Sequence, residues 1–124
     1  MVMRRPESPL QKKSEAYSGR IIRLYHYLVE TKRELIMSKQ IYRSGTSIGA
    51  NIAESRFAQS SSDFISKLSI ALKEAGETQY WLENIYNAGL IDTKGYESMT
   101  TDNTELIKML VSSIKTMKKK VGTI

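Results

Sequence analysis

Residues Gly45-Thr46-Ser47-Ile48-Gly49 spell G-x-S-x-G, the spacing in which many serine hydrolases present their nucleophile. That elbow needs a strand before the serine, a helix after it and a histidine later in the chain to accept its proton. The chain has one histidine, His26, and it lies upstream. The residues on both sides of Ser47 carry helical periodicity, so the match is accidental and Ser47 is not assigned as a nucleophile.

Other chemistries fare no better. His26 and Glu30 do not form the Glu-x-x-His pair that two helices of a di-iron bundle must each supply. The absence of cysteine excludes thiolate metal sites and disulfides. Gly45 and Gly49 are not followed by the Gly-Lys-Ser/Thr of a phosphate loop. Glu74 and Glu77 fall three apart, close enough to pair carboxylates, but Lys67 and Lys73 nearby make salt bridging the expected use. The expectation is a protein without catalytic residues, cofactor or metal.

Charge is the remaining chemical signal. Lys and Arg number 19 against 13 Asp and Glu, a net charge of +6 that favours polyanionic partners. The cations fall in clusters: Arg4/Arg5, Lys12/Lys13, Arg20/Arg23, Lys32/Arg33, Lys39/Arg43 and Lys115/Lys118/Lys119/Lys120. Arg20, Arg23, Lys39, Arg43, Lys115, Lys118, Lys119 and Lys120 are the candidate phosphate contacts. The last cluster has a second reading, because cations near a helix C-terminus complement its dipole. The aromatic residues fall mostly on seam positions, which leaves no platform for stacking single-stranded bases. Any nucleic-acid binding is then driven by shape and charge, and the rival class is a protein-interaction scaffold.

The elements that must carry these residues are helices. Both prolines precede residue 10, so the rest of the chain is free of that breaker. A first helix is expected from Ser8-Pro9, cap then proline, with Leu10, Tyr17, Ile21, Leu24 and Leu28 on its apolar line and Tyr25 and Val29 beside it; it frays at Thr31 to Arg33. A second is expected from about Glu34 to Arg56, with Leu35, Ile41, Ile48 and Ile52 on its apolar side. After a turn at Ala58 to Asp63 with a serine N-cap, a third carries Phe64, Leu68, Ala71, Ala75, Thr78, Leu82 and Ile85 on one seam. Gly89 ends it and Asp92 caps a fourth, whose line is Tyr96, Met99, Asn103, Leu106, Leu110, Ile114, Met117 and Val121. Short connections make successive helices antiparallel neighbours, which predicts a single-domain, all-α, up-down-up-down four-helix bundle over residues 1–124. Residues 1–8 are expected to be flexible and 119–124 frayed.

Two features ask for packing explanations. Gly45, Gly49 and Ala53 stack in one row on the second helix, and each glycine there costs about 1 kcal/mol relative to alanine. Close approach of a neighbouring helix would offset that cost. Beside them Gln40, Ser44, Ser47, Asn51 and Glu54 form a polar row that either faces water or fixes register in a helix or subunit contact. The third helix carries a second line, Ile65, Leu72, Gln79 and Tyr86, with Ile70, Tyr80 and Trp81 also off the main seam. It is either a wide core face or a subunit interface.

The blocks "SKQIYRSGTSIGANIAES" and "SSSDFISKLSIALKEAGETQYWLENI" resemble the bacterial four-helix bundle family of the 23S ribosomal RNA intervening-sequence proteins. The likeness extends from about Ser14 to Lys120 and is carried by Gln40, Arg43 through Asn51, Glu54, Asp63, Phe64, Lys67, Ile70, Ala71, Lys73, Glu74, Glu77, Tyr80, Trp81 and Leu82. Ala53 stands where many relatives carry glutamate, and Ser55 where they carry alanine or glycine; both differences are expected at the helix surface. The resemblance implies a homo-pentamer and a relation to the accessory proteins of diversity-generating retroelements, which look like basic pentameric barrels that bind nucleic acid and a reverse transcriptase. It assigns no biochemical activity. On that reading Gln40, Arg43, Ser44, Gly45, Ser47, Gly49, Asn51, Glu54, Glu77, Tyr80 and Trp81 form a helix-packing or oligomer motif. Five copies of +6 would place about +30 on one particle. The start of the sequence has no apolar signal region and no uncharged run nears about 18 residues, so no membrane association and a cytoplasmic setting are expected.

Overall fold

The structure is a computed structural model that describes residues 8–122; the expectations for residues 1–7 and for 123–124, including the Arg4/Arg5 cluster, lie outside the described residues. It contains four helices: α1 (Pro9–Glu30), α2 (Met37–Ser55), α3 (Ser61–Asn87) and α4 (Thr93–Lys120). Each packs on the next in sequence, and α4 returns to touch α1 more sparsely, which gives the antiparallel four-helix bundle. There is no strand among the described residues.

Local chemistry sets most of the boundaries. The Ser8 hydroxyl accepts from Gln11 N at 3.2 Å, with Pro9 at the first helical position where its missing N–H costs nothing. Ser60 caps α3 by accepting from Asp63 N at 3.0 Å, and Asp63 returns the favour by accepting from Gln59 N at 3.2 Å. Asp92 caps α4 through Gly95 N at 2.7 Å. At the end of α3, Gly89 adopts φ +76. Its N–H reaches Tyr86 O at 2.9 Å and Leu90 N reaches Ile85 O at 3.1 Å, so two late carbonyls are satisfied in a Schellman turn.

The second helix starts later than its periodicity suggests. Glu34 does not open it but folds over it from outside. Its carboxylate accepts from Ile36 N and Met37 N at 3.1 Å and from Ser38 N at 2.8 Å, satisfying three of the orphan donors at the helix start. Leu35, expected on the apolar side, consequently lies in the connecting loop and is exposed, as is Ile36. Arg33, at φ 58, makes the left-handed turn that sends the chain back. At the other end of the molecule α4 stays helical through Lys119 and Lys120.

The core follows the seams. Leu10, Tyr17, Ile21 and Leu28 meet Ile41, Ile48 and Ile52 from α2, then Leu68, Ala71, Ala75, Leu82 and Ile85 from α3 and Met99, Leu106, Leu110 and Ile114 from α4. The second line on α3 is the α3/α4 contact. Gln79 Nε2 donates to Thr100 Oγ1 at 3.2 Å, and Tyr86 stacks on Tyr96 with ring centroids 4.4 Å apart. Ile70 and Tyr80, also off the main seam, stay exposed.

Candidate functional site

The glycine row lies against α1. A Cβ added at Gly45 would stand 2.8 Å from three carbons of Ile21, a side chain with no exposed surface. At Gly49 it would meet Ser18 Oγ at 2.9 Å and Ser14 O at 3.5 Å. The glycines and the small serines opposite them let the two backbones close up, and the entropy each glycine costs is offset by that packing. The partner is the chain's own first helix.

The polar row divides. Ser44 is fully buried and its hydroxyl accepts from Thr78 Oγ1 at 3.0 Å, which fixes the register of α2 on α3. Ser47 Oγ donates to Arg43 O at 2.6 Å, a back-bond within its own helix, and Asn51 Nδ2 does the same to Ser47 O at 2.9 Å. A serine spent on its own backbone in mid-helix is not an activated nucleophile. His26, on the outer face of α1, lies 3.2 Å from Glu30 and is exposed. Gln40 is half-buried near the start of α2.

Outside this row a charged cluster joins α2 to α3. Arg43 pairs with Glu77 and lies 3.5 Å from Glu74 Oε1, and Trp81 Nε1 donates to Glu77 Oε2 at 3.4 Å. Glu74 Oε1 is buried and forms no hydrogen bond, so the guanidinium is what balances it. Glu54 pairs with Lys67 at 3.1 Å. The carboxylates 74 and 77 thus serve as ion-pair partners. Among the described residues no group of three His, Cys, Asp or Glu is arranged to hold a metal ion. Tyr80 packs edge-on to Trp81 and remains 56% exposed, and Ile70, ten residues earlier on α3, is also exposed.

The candidate phosphate contacts are not brought into one patch. Arg20 reaches across to α4, where it pairs with Asp102 at 2.6 Å and donates to Ser98 Oγ at 2.9 Å. Lys13 adds a second strand to this clamp, 2.6 Å from Glu105 and 3.7 Å from Asp102, and the bond to Glu105 holds its ammonium pKa above the ordinary lysine value despite some burial. Tyr17 completes the α1/α4 seam by donating to Met99 O at 3.2 Å, and burial pushes its phenol pKa well up. Arg23 is exposed on α1, and Lys39 lines a shallow hollow with Ile22, Tyr25, His26 and Tyr42 between α1 and α2. Lys115, Lys118, Lys119 and Lys120 are exposed together at the end of α4.

Three features had weak sequence signals. The Glu34 cap reads as one more helical residue unless the Glu-x-x-x-Ser spacing is weighed. Asn103 sits among apolar neighbours in its seam, yet its buried amide crosses to α3 and donates to Ala75 O at 2.9 Å while its Oδ1 has no partner. Lys108 lies outside the basic clusters but shares a groove with Lys115 and Lys119.

No helix among the described residues is long and apolar enough to cross a membrane. No curated protein matches the chain. A crystal structure described as a protein of unknown function from the S23 ribosomal protein family of Bacteroides thetaiotaomicron VPI-5482 is 54% identical, with a TM-score of 0.85 over 86% of this chain and 95% of that one. The sequence profile of the 23S rRNA-intervening sequence proteins matches residues 7–112. That match spans α1, α2, α3 and most of α4, including the glycine row, the charged α2/α3 cluster and the α1/α4 clamp, and the chain belongs to the 23S rRNA-intervening sequence protein family.

Proposed function

We propose that this protein is a non-enzymatic bundle that self-assembles and binds RNA or DNA through its basic surfaces. The observation that carries the nucleic-acid reading is the concentration of exposed lysines on the C-terminal half of α4, where Lys108, Lys115 and Lys119 line a groove that holds no carboxylate and exposed Lys120 follows at its end. Such a surface attracts phosphates without reading sequence. The words ribosomal and rRNA in the names of the neighbour's family and of this chain's family put RNA first among the polyanions to test. Self-assembly is supported by the apolar side chains left exposed on α3, Tyr80 beside half-buried Trp81 and Ile70 about three turns earlier. The expected assembly is a homo-pentamer, by resemblance to the family.

The test is a titration of the purified chain with structured RNA and with duplex DNA at several salt concentrations. Binding whose logarithm falls steeply with log salt is the expected result, since each neutralised phosphate contributes a slope of about −0.9 on duplex DNA. Absence of binding at low salt overturns the reading and turns attention to the scaffold alternative. A light-scattering mass equal to one chain at micromolar concentration overturns the assembly.

A further inference from the structure

The lysine-bearing surface of α4 has a second property that a polyanion does not use. Ile107 and Val111 are half-buried and follow one another at a spacing of four, and the row continues into Lys115. It ends at Lys119, alongside it run Lys108, Ser112 and Thr116, and Lys118 also borders it. Together they line a shallow trough of about 710 Å³, formed on α4 alone and open to solvent along its length. Its floor is apolar because the lysine stems extend the surface of Ile107 and Val111 while their ammonium groups reach the rim. No carboxylate lines it, and Asp102 and Glu105 on the same helix are engaged by Lys13 and Arg20 on the α1 side. The helix dipole accounts for cations only within the last turn, and Lys108 and Lys115 sit before it.

We propose that this trough is a docking groove for an acidic amphipathic helix of a protein partner. From Ile107 to Lys119 the face extends over thirteen residues, about 18 Å, which matches roughly three turns of a partner helix. A helix with apolar side chains at spacings of three and four and glutamates flanking them satisfies both halves of the surface, the floor by burial and the rim by charge. A phosphate backbone satisfies only the rim and leaves Ile107 and Val111 against solvent or charge. The inference assigns the lysines of the nucleic-acid reading a different occupant, does not depend on that reading, and is separated from it by the experiment below.

The experiment uses the full chain and a fluorescein-labelled peptide of roughly 16 residues, with leucines on one helical face and glutamates elsewhere. Its control is a scrambled peptide of identical composition and charge. The expected result is saturable binding of the amphipathic peptide and about tenfold weaker binding of the scrambled one. Val111→Gln and Lys115→Gln should each weaken the amphipathic peptide about fivefold to tenfold, while circular dichroism confirms that both variants keep their helicity. Failure of the peptide to bind overturns the proposal, as does equal binding of both peptides or an unchanged affinity for Val111→Gln. Duplex DNA titrated against the same variants reports on the nucleic-acid reading separately, because that reading predicts a loss for Lys115→Gln and none for Val111→Gln. DNA binding without peptide binding makes α4 a phosphate surface and refutes the docking groove.

Discussion

Three helical glycines in this chain differ in what stands over them, and alanine at each gives the packing argument a quantitative test. Gly76, exposed on α3, has no atom within 4 Å of an added Cβ. Gly76→Ala should therefore deliver the full propensity gain of about 1 kcal/mol. Gly49→Ala meets the Ser18 hydroxyl at 2.9 Å, the end of a short side chain that can rotate away, so gain and cost should nearly cancel. Gly45→Ala meets three Ile21 carbons at 2.8 Å, including both branches of a β-branched side chain with no exposed surface. Rotation cannot clear both branches, and forcing a methyl into such a site costs about 1–3 kcal/mol. With Ile21 fully enclosed the upper part of that range applies, which leaves a net loss of about 1–2 kcal/mol after the propensity gain. Gly76→Ala and Gly45→Ala should then differ by about 2–3 kcal/mol, or on the order of 10 °C in Tm for a chain of this size. The assay is thermal and urea unfolding followed by circular dichroism at matched protein concentration. Equal stabilisation of all three variants would refute the claim that the row exists for close approach of α1.

Other expectations rest on separate contacts. Glu34→Gln should cost about 1 kcal/mol at neutral pH by weakening the charged cap. Burial pushes the Glu34 pKa up, but bonds from Ser38, Met37 and Ile36 N–H outweigh it and hold the carboxyl below its ordinary value. The stabilisation is thus complete above the unfolded-state pKa and lost as pH falls through the lower folded one. Urea midpoints measured from pH 6 to pH 3 should show the wild type and Glu34→Gln converging at the acid end; a constant difference would contradict the cap. Asn103→Leu should raise stability by about 1 kcal/mol, because it removes a buried acceptor without a partner and the Ala75 carbonyl keeps its helical bond. A lower urea midpoint would show that its bond to Ala75 matters more. A double-mutant cycle on Arg20 and Asp102, both about one-third exposed, should return under about 1 kcal/mol and shrink in high salt. Ser47→Ala should leave the fold intact and raise the midpoint slightly, since the hydroxyl only back-bonds within α2; marked destabilisation would reveal a contact beyond the helix.

Two of the places where sequence and structure part are informative. Leu35 fits the spacing of the second helix but is exposed because Glu34 uses its carboxylate as a cap, an interaction that periodicity does not encode. Arg20 and Arg43 read as surface cations in a basic cluster, yet both are held by carboxylates from helices distant in sequence, Asp102 for one and Glu74 with Glu77 for the other. Net charge counts residues and is blind to which of them face each other. The second line on α3 carried a similar ambiguity: Tyr86 stacks on Tyr96 of α4 within the chain, while Ile70 and Tyr80 stay exposed.

The four helices, their serine and aspartate caps, the Gly89 turn and the apolar seams were fixed by the sequence itself. These depend on spacing within one segment and on the backbone preferences of individual residues, which are local properties. The improbability of a Ser47 nucleophile was equally legible, from chain order and helical context. Tertiary structure alone decided that the glycine row serves α1, that Ser44 locks to Thr78, and that Lys13, Arg20 and Arg43 are tied to neighbouring helices. Each of these is a relation between side chains on different helices. Such relations are set by how the helices rotate and dock, which no single segment specifies.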